Sequence, residues 1–193
     1  MTRKRLLERY ATAEDGRIAL DVAVPGVEDI YNDFERTLPF PKKDLNDEFA
    51  EYLVNSAREI DKHDFVIRMD FERLPDEMLM DRIRRSTHNF FVYLADRERR
   101  NLKKMFEASA LLGGVGFVLL AADLWLNRLF AGRKGVIGGV MLEGLTIAAW
   151  VALWEAVANL LIQWIPHHRD IRVYRRLSSA EIVFRQTFKK AGS

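Results

Sequence analysis

Two apolar runs separated by a short basic turn constrain this chain more than any other feature. ASALLGGVGFVLLAADLWLNRLF occupies residues 108–130, and VIGGVMLEGLTIAAWVALWEAVANLLIQWI occupies 136–165. A helix needs about 20 mostly apolar residues to cross about 30 Å of hydrocarbon. The first run meets that length, and the second exceeds it and should tilt or protrude. With 30% charged residues the whole chain has the balance of an ordinary water-soluble protein, but the charges are segregated. Within residues 108–165 the only charged side chains are Asp123, Arg128, Arg133, Lys134, Glu143 and Glu155.

The flanks read as water-exposed structure. Residues 1–16 form an arm with a basic start and no apolar segment after it, which argues against a secretory signal. Ile18, Leu20, Val22 and Val24 alternate with smaller or polar residues, predicting a strand over 18–24 that Pro25-Gly26 closes. Val27 to Phe34 suggests a helical turn or two. Pro39 and Pro41 impose an extended link. Asp44 reads as the N-cap of a helix over 44–60 carrying Phe49, Tyr52, Leu53, Ala57 and Ile60 on one face. The run FVIRMDF alternates again and predicts a strand over 64–72. Pro75 opens a helix over 75–105 with Met78, Leu79, Ile83, Phe90, Phe91, Leu94 and Leu102 on its apolar face. No breaker separates that helix from the first apolar run.

Beyond the second run, 169–177 is basic and amphipathic. Ile182, Phe184 and Phe188 then alternate with Val183, Arg185 and Thr187, predicting a third strand over 180–188 that pairs with 65–71. Three strands with helices on one face can hold a core where two would be marginal. The expected fold is therefore a membrane α-helical hairpin with a small cytoplasmic α+β domain. That domain takes residues 1–105 and is completed by the 167–193 tail, while 106–166 form the hairpin.

Basic residues set the expected orientation. Arg97, Arg99, Arg100, Lys103 and Lys104 precede the first span, and Arg169, Arg172, Arg175 and Arg176 follow the second. The turn has only Arg128, Arg133 and Lys134. The positive-inside rule places both termini in the cytoplasm, as a multi-pass protein of the cell inner (plasma) membrane. Trp125 and Trp164 fall where an aromatic belt would hold them. A net charge of +2 gives no reason to expect nucleic acid. The absence of cysteine excludes disulfides and thiolate metal sites.

Two sets of residues inside the spans stand out. Gly144, Ala148, Ala152 and Ala156 recur every four residues on the second helix, with Gly135 and Gly139 at its outer end. Small faces let membrane helices approach closely, either within the hairpin or between subunits. The polar set is Asp123, Glu143, Glu155, Asn159 and Gln163, and an ionisable group inside a span is a functional candidate by default. Asp123 and Glu143 lie at similar depth and could share a proton, hold a cation or pair with Arg128. Glu155, Asn159 and Gln163 form a polar stripe. His167-His168 with Asp170 reads as interfacial anchoring, since adjacent helical residues point about 100° apart. No phosphate loop, GxSxG or HExxH occurs. No enzyme activity, cofactor or metal is expected.

Three stretches, PFPKKDLNDEFAEYLVNSARE, IRMDF with IRRSTHNFFVYLADRERRNL, and EGLTIAAWVALWEAVANLLIQWIP, resemble an uncharacterised family of small bacterial two-span membrane proteins. The resemblance implies a cytoplasmic domain plus a hairpin and supplies no activity. The uniporter pore motif W-D-x-x-E-P is missing, since Trp154-Glu155 lies at the wrong end of its helix. The expected function is a membrane-anchored interaction or scaffold protein that self-associates. The alternative is a small oligomeric ion channel or transporter that uses the intramembrane acids. Expected partners are the lipid bilayer, further copies of the chain and a cytoplasmic protein.

Overall fold

The computed structural model describes residues 9–31, 45–130 and 135–186, leaving aside the side chains of Val136 and Gln163. The chain divides into two compact units, one made of Met1–Asp96 with Ile171–Ser193 and the other of Arg97–Asp170. The divisions fall at 96/97 and 170/171, close to the ends of the apolar runs.

The first unit is built on a four-stranded sheet. Its strands are β1 (Ala11–Thr12), β2 (Ile18–Val24), β3 (Phe65–Phe71) and β4 (Glu181–Gln186), in the order β1-β2-β3-β4. β2, β3 and β4 run parallel, and β1 is antiparallel to β2. The predicted pairing of the C-terminal strand with 65–71 is present, with Ile67 opposite Ile182 and Met69 opposite Phe184. Helix α1 (Asp47–Ile60) connects β2 to β3, while α2 (Glu77–Leu129) and α3 (Val136–Ser178) lie between β3 and β4.

Parallel crossovers are right-handed in nearly all proteins, so two made in the same direction along a sheet put their helices on one face. The core agrees. Leu53, Ala57 and Ile60 of α1, Ile83, Phe91 and Leu94 of α2, and Val173 and Leu177 of α3 all bury against Leu20, Ile67, Met69 and Ile182. Each Leu, Ile, Val, Phe or Met among them contributes about 1.5–3 kcal/mol by leaving water. Polar ties reinforce the layer: Tyr31 and Ser86 hydroxyls lie 2.8 Å apart, and His88 Nδ1 is 2.7 Å from the Ser178 carbonyl. Burial pushes the Tyr31 phenol above its ordinary value, against the opposing hydrogen bond from Ser86. On the other face, cross-strand charges pair. Arg68 grips Asp21 with two bonds of 2.5 and 2.6 Å, and Arg185 Nε lies 3.2 Å from Asp70.

Several expectations need correction. The arm over 1–16, whose pattern suggests mobile or weakly helical chain, contributes a strand instead, the short β1 at Ala11–Thr12. The cap of α1 is Asn46, whose side chain accepts from the Glu48 and Phe49 amides; Asp44 lies outside the described residues. The helical turn after Gly26 is a 3-10 turn over Val27–Ile30, followed by a bridge between Tyr31 and Leu45. Pro75 stands before its helix, where Asp76 Oδ1 accepts from the Leu79 amide at 2.7 Å. The second apolar helix does not stop near Ile165 but runs through Pro166 to Ser178. The stretch 32–44, with Pro39 and Pro41, the turn residues Arg133 and Lys134, and the expected strand end at Thr187 and Phe188 lie outside the described residues.

Candidate functional site

The second unit is an antiparallel pairing of the later part of α2 with the earlier part of α3. Two helices, Glu77–Leu129 and Ile137–Ser178, contain stretches long and apolar enough by length and composition to cross a membrane. On α2 a row of buried and half-buried residues runs through Met105, Ser109, Leu112, Gly116, Leu119 and Asp123. Their spacing alternates four and three, the 3.5-residue period of two helices winding around each other. α3 answers with Leu142, Leu145, Ala149, Ala152, Ala156 and Asn159. Two glycines mark close approach. A Cβ on Gly116 would stand 2.9 Å from Leu153 Cγ and 3.1 Å from its backbone nitrogen, and one on Gly113 would stand 3.6 Å from Ala156 Cβ.

The small-residue set is therefore split. Ala152 and Ala156 lie in the seam, while Gly144 and Ala148 are exposed. Gly135, Gly139 and Gly144 have open space where a Cβ would stand. Ala149, fully buried, is the seam residue that a spacing-four reading passes over.

The polar set separates as well. Asp123 is in the seam and only 7% exposed. Its Oδ1 accepts from Asn127 Nδ2 at 3.1 Å, and the same amide donates to the Asp123 carbonyl at 3.0 Å. Continuing the count from Gly113–Ala156 and Gly116–Leu153 puts Asp123 level with Thr146. That half-buried residue's hydroxyl donates to the Leu142 carbonyl at 3.1 Å. Glu143 and Glu155 are exposed. Among the described residues no cation pairs with Asp123, Glu143 or Glu155, and no hydrogen bond joins Asp123 to Glu143 or to Arg128. Asp123 and Glu143 are not brought together, because one acid lies in the seam and the other is exposed. Asn159 is half-buried, and the Gln163 side chain lies outside the described residues.

One polar contact escaped the sequence reading. His167 Nδ1 and Glu98 Oε1 are 2.5 Å apart, with side chains 25% and 16% exposed, and Asn101 Nδ2 donates to the other Glu98 oxygen at 3.3 Å. The phase of the seam carries the signal, since Glu98 falls seven residues before Met105 and therefore points inward. His168 instead lies edge-on to Trp164, with ring centroids 5.1 Å apart.

One cleft of the first unit, about 500 Å³, is lined by Val24, Glu28, Asp29, Tyr31, Asn46 and Phe49. A second, about 300 Å³, lies beside Tyr10, Tyr52, Ser56 and Glu59, where the Tyr10 hydroxyl donates to Glu59 at 2.7 Å. Burial first, and that bond second, push the Tyr10 phenol upward. No protein-family model, curated protein or solved structure matches the chain.

Proposed function

We propose that this is an integral protein of a bacterial inner (plasma) membrane, anchored by the α2–α3 hairpin with both chain ends in the cytoplasm. Its role is that of an interaction or scaffold protein that self-associates and presents its α/β unit to partners in the cytoplasm. One observation supports membrane insertion above the rest. The hairpin's outward surface is apolar, with Leu111, Phe117, Ile137 and Trp154 each more than 70% exposed. Continuous apolar surface of this kind is rare on monomers in water and is what lipid chains would cover. The basic residues flanking the runs support the orientation, and the resemblance to small two-span bacterial proteins agrees.

Alkaline carbonate extraction of membranes, with protease protection of each terminus, tests the placement. The expected result is retention in the pellet and cleavage of both termini only from the cytoplasmic side. Release into the supernatant, or opposite fates for the two termini, overturns it.

A second reading, a small oligomeric channel or transporter, draws on Glu155, which has no partner among the described residues. Native mass spectrometry in mild detergent separates the two. A monomer or dimer removes the channel, since two hairpins cannot ring an aqueous path. In a larger ring, ion flux in liposomes that Glu155→Gln abolishes would favour conduction.

A further inference from the structure

Along one face of α2 the surface changes from apolar to cationic. Val118, Val115 and Leu111 are 65%, 46% and 72% exposed, and Lys104, Arg100 and Arg97 continue the row, exposed as well. At about 100° per residue all six fall within an arc of about 60°. That arc is centred about 120° round the helix from the seam row through Met105 and Ser109. Among the described residues none of the three cations has an ion pair or a hydrogen bond. Glu107, beside the row, is taken by Lys103 at 3.6 Å. One helix face therefore ends an apolar strip in three uncompensated positive charges.

We infer that this face is a docking surface for a phospholipid of the cytoplasmic leaflet whose headgroup carries net negative charge. The inference rests on the membrane insertion proposed above and adds which lipid the hairpin selects. The acyl chain lies along Leu111, Val115 and Val118, and the phosphate meets the cations. Their heights agree with this. Lys104 stands four residues before Ala108, about 6 Å along the helix, within a headgroup layer about 5–7 Å deep. Arg100 and Arg97 stand about 5 and 10 Å beyond that layer, where the field of an anionic surface extends about 8–10 Å. Their long stems let the guanidinium groups reach back toward it. A zwitterionic headgroup brings its own cation to the same place and loses the attraction. An acidic protein segment would match the three charges but not the apolar strip that continues from them, whereas a lipid matches both.

The full-length chain, purified in mild detergent, is offered equal amounts of dioleoyl phosphatidylglycerol and dioleoyl phosphatidylcholine, and retained lipid is counted by native mass spectrometry. Phosphatidylglycerol should be favoured about fivefold or more, the effect of one basic residue near an anionic surface. The triple variant Arg97→Gln, Arg100→Gln, Lys104→Gln should bring the two lipids close to parity. The control Arg9→Gln, Lys62→Gln, Arg73→Gln removes the same charge from exposed positions of the first unit and should keep the preference. An equal fall in the control overturns this face, because net charge alone would then govern. The charge-conserving variant Arg97→Lys, Arg100→Lys, Lys104→Arg should also keep the preference, and its loss would refute charge as the cause. Equal retention of both lipids by the natural chain overturns the anionic lipid and leaves the membrane placement standing. Release of the natural chain by carbonate overturns the placement itself.

Discussion

Three glycines within one helical turn of α2 offer a test of the hairpin in which each variant controls the others. Gly113, Gly114 and Gly116 share one helix, so replacing any of them with Ala brings the same gain in helix propensity, up to about 1 kcal/mol. What differs is the space each new methyl enters. On Gly114 it meets nothing, on Gly113 it makes an ordinary contact with Ala156 at 3.6 Å, and on Gly116 it stands 3.1 Å from the backbone nitrogen of Leu153. A side chain can rotate away, whereas a backbone atom moves only if the whole helix gives. Overpacking of this kind costs about 1–3 kcal/mol. Gly116→Ala should therefore be less stable than Gly114→Ala by about that amount, with Gly113→Ala equal to or slightly above Gly114→Ala. The readout is built in, because all four tryptophans, Trp125, Trp150, Trp154 and Trp164, lie in the hairpin unit. Titration of detergent-solubilised protein with SDS, followed by tryptophan fluorescence, gives the three midpoints. Equal stability of the Gly114 and Gly116 variants would refute the close approach of the two helices there.

Other expectations concern the α/β unit. Ile182→Ala should cost about 2–5 kcal/mol, since Ile182 is buried against β3; a thermal melt by circular dichroism that matches the parent would show that β4 adds nothing to the core. Asn46→Ala removes the acceptor for two α1 amides and should cost about 1 kcal/mol, read as a shift in urea midpoint. The buried Tyr31 phenol holds its proton more tightly folded than unfolded. Its contribution is full below about pH 10, the unfolded value, and is lost as pH rises through the higher folded value. Tyr31→Phe should accordingly lose less stability than the parent between about pH 9 and 11, and identical alkaline losses would show that Tyr31 does not titrate with unfolding.

What the sequence made legible follows from where one face of an element is buried and the other is not. β2, β3 and β4 alternate because the helical layer covers only one side of the sheet, so Leu20, Ile67 and Ile182 face inward and Asp21, Arg68 and Arg185 outward. β1 has no such pattern: its two residues, Ala11 and Thr12, are exposed, and only pairing with Ala19 and Ile18 defines it. The apolar run ends at Ile165, but the helix continues through Pro166, and its last turns are held by burial of Val173 and Leu177. Among the small residues, the repeat of four misled for a geometric reason. Four residues turn a helix about 400°, so a row at that spacing drifts about 40° per step. Over the three steps from Gly144 to Ala156 the drift is about 120°, enough to carry one end into the seam and leave the other outside. The acids separate by the same arithmetic. Equal depth brought Asp123 and Glu143 together on paper, but depth fixes only height along the helices, and rotation decides which side chains meet.

The sheet also constrains the membrane reading in a way that hydropathy cannot. β3 and β4 are neighbours with a parallel register from Val66–Glu181 to Phe71–Gln186, so they must lie on one side of any membrane. Between them the chain runs through both candidate spans. One crossing would leave β4 on the far side and strip β3 of a neighbour; two crossings return it. Parity therefore ties the two apolar runs together, so that both cross or neither does. If neither crossed, Leu111, Phe117, Ile137 and Trp154 would be apolar surface of the single chain, each more than 70% exposed. In the proposed placement the ladder keeps β3 and β4 on one side, and the asymmetry of Arg and Lys chooses which side it is. The order of assembly follows too. If both runs cross as proposed, β4 can dock on β3 only once the second run has returned across the bilayer.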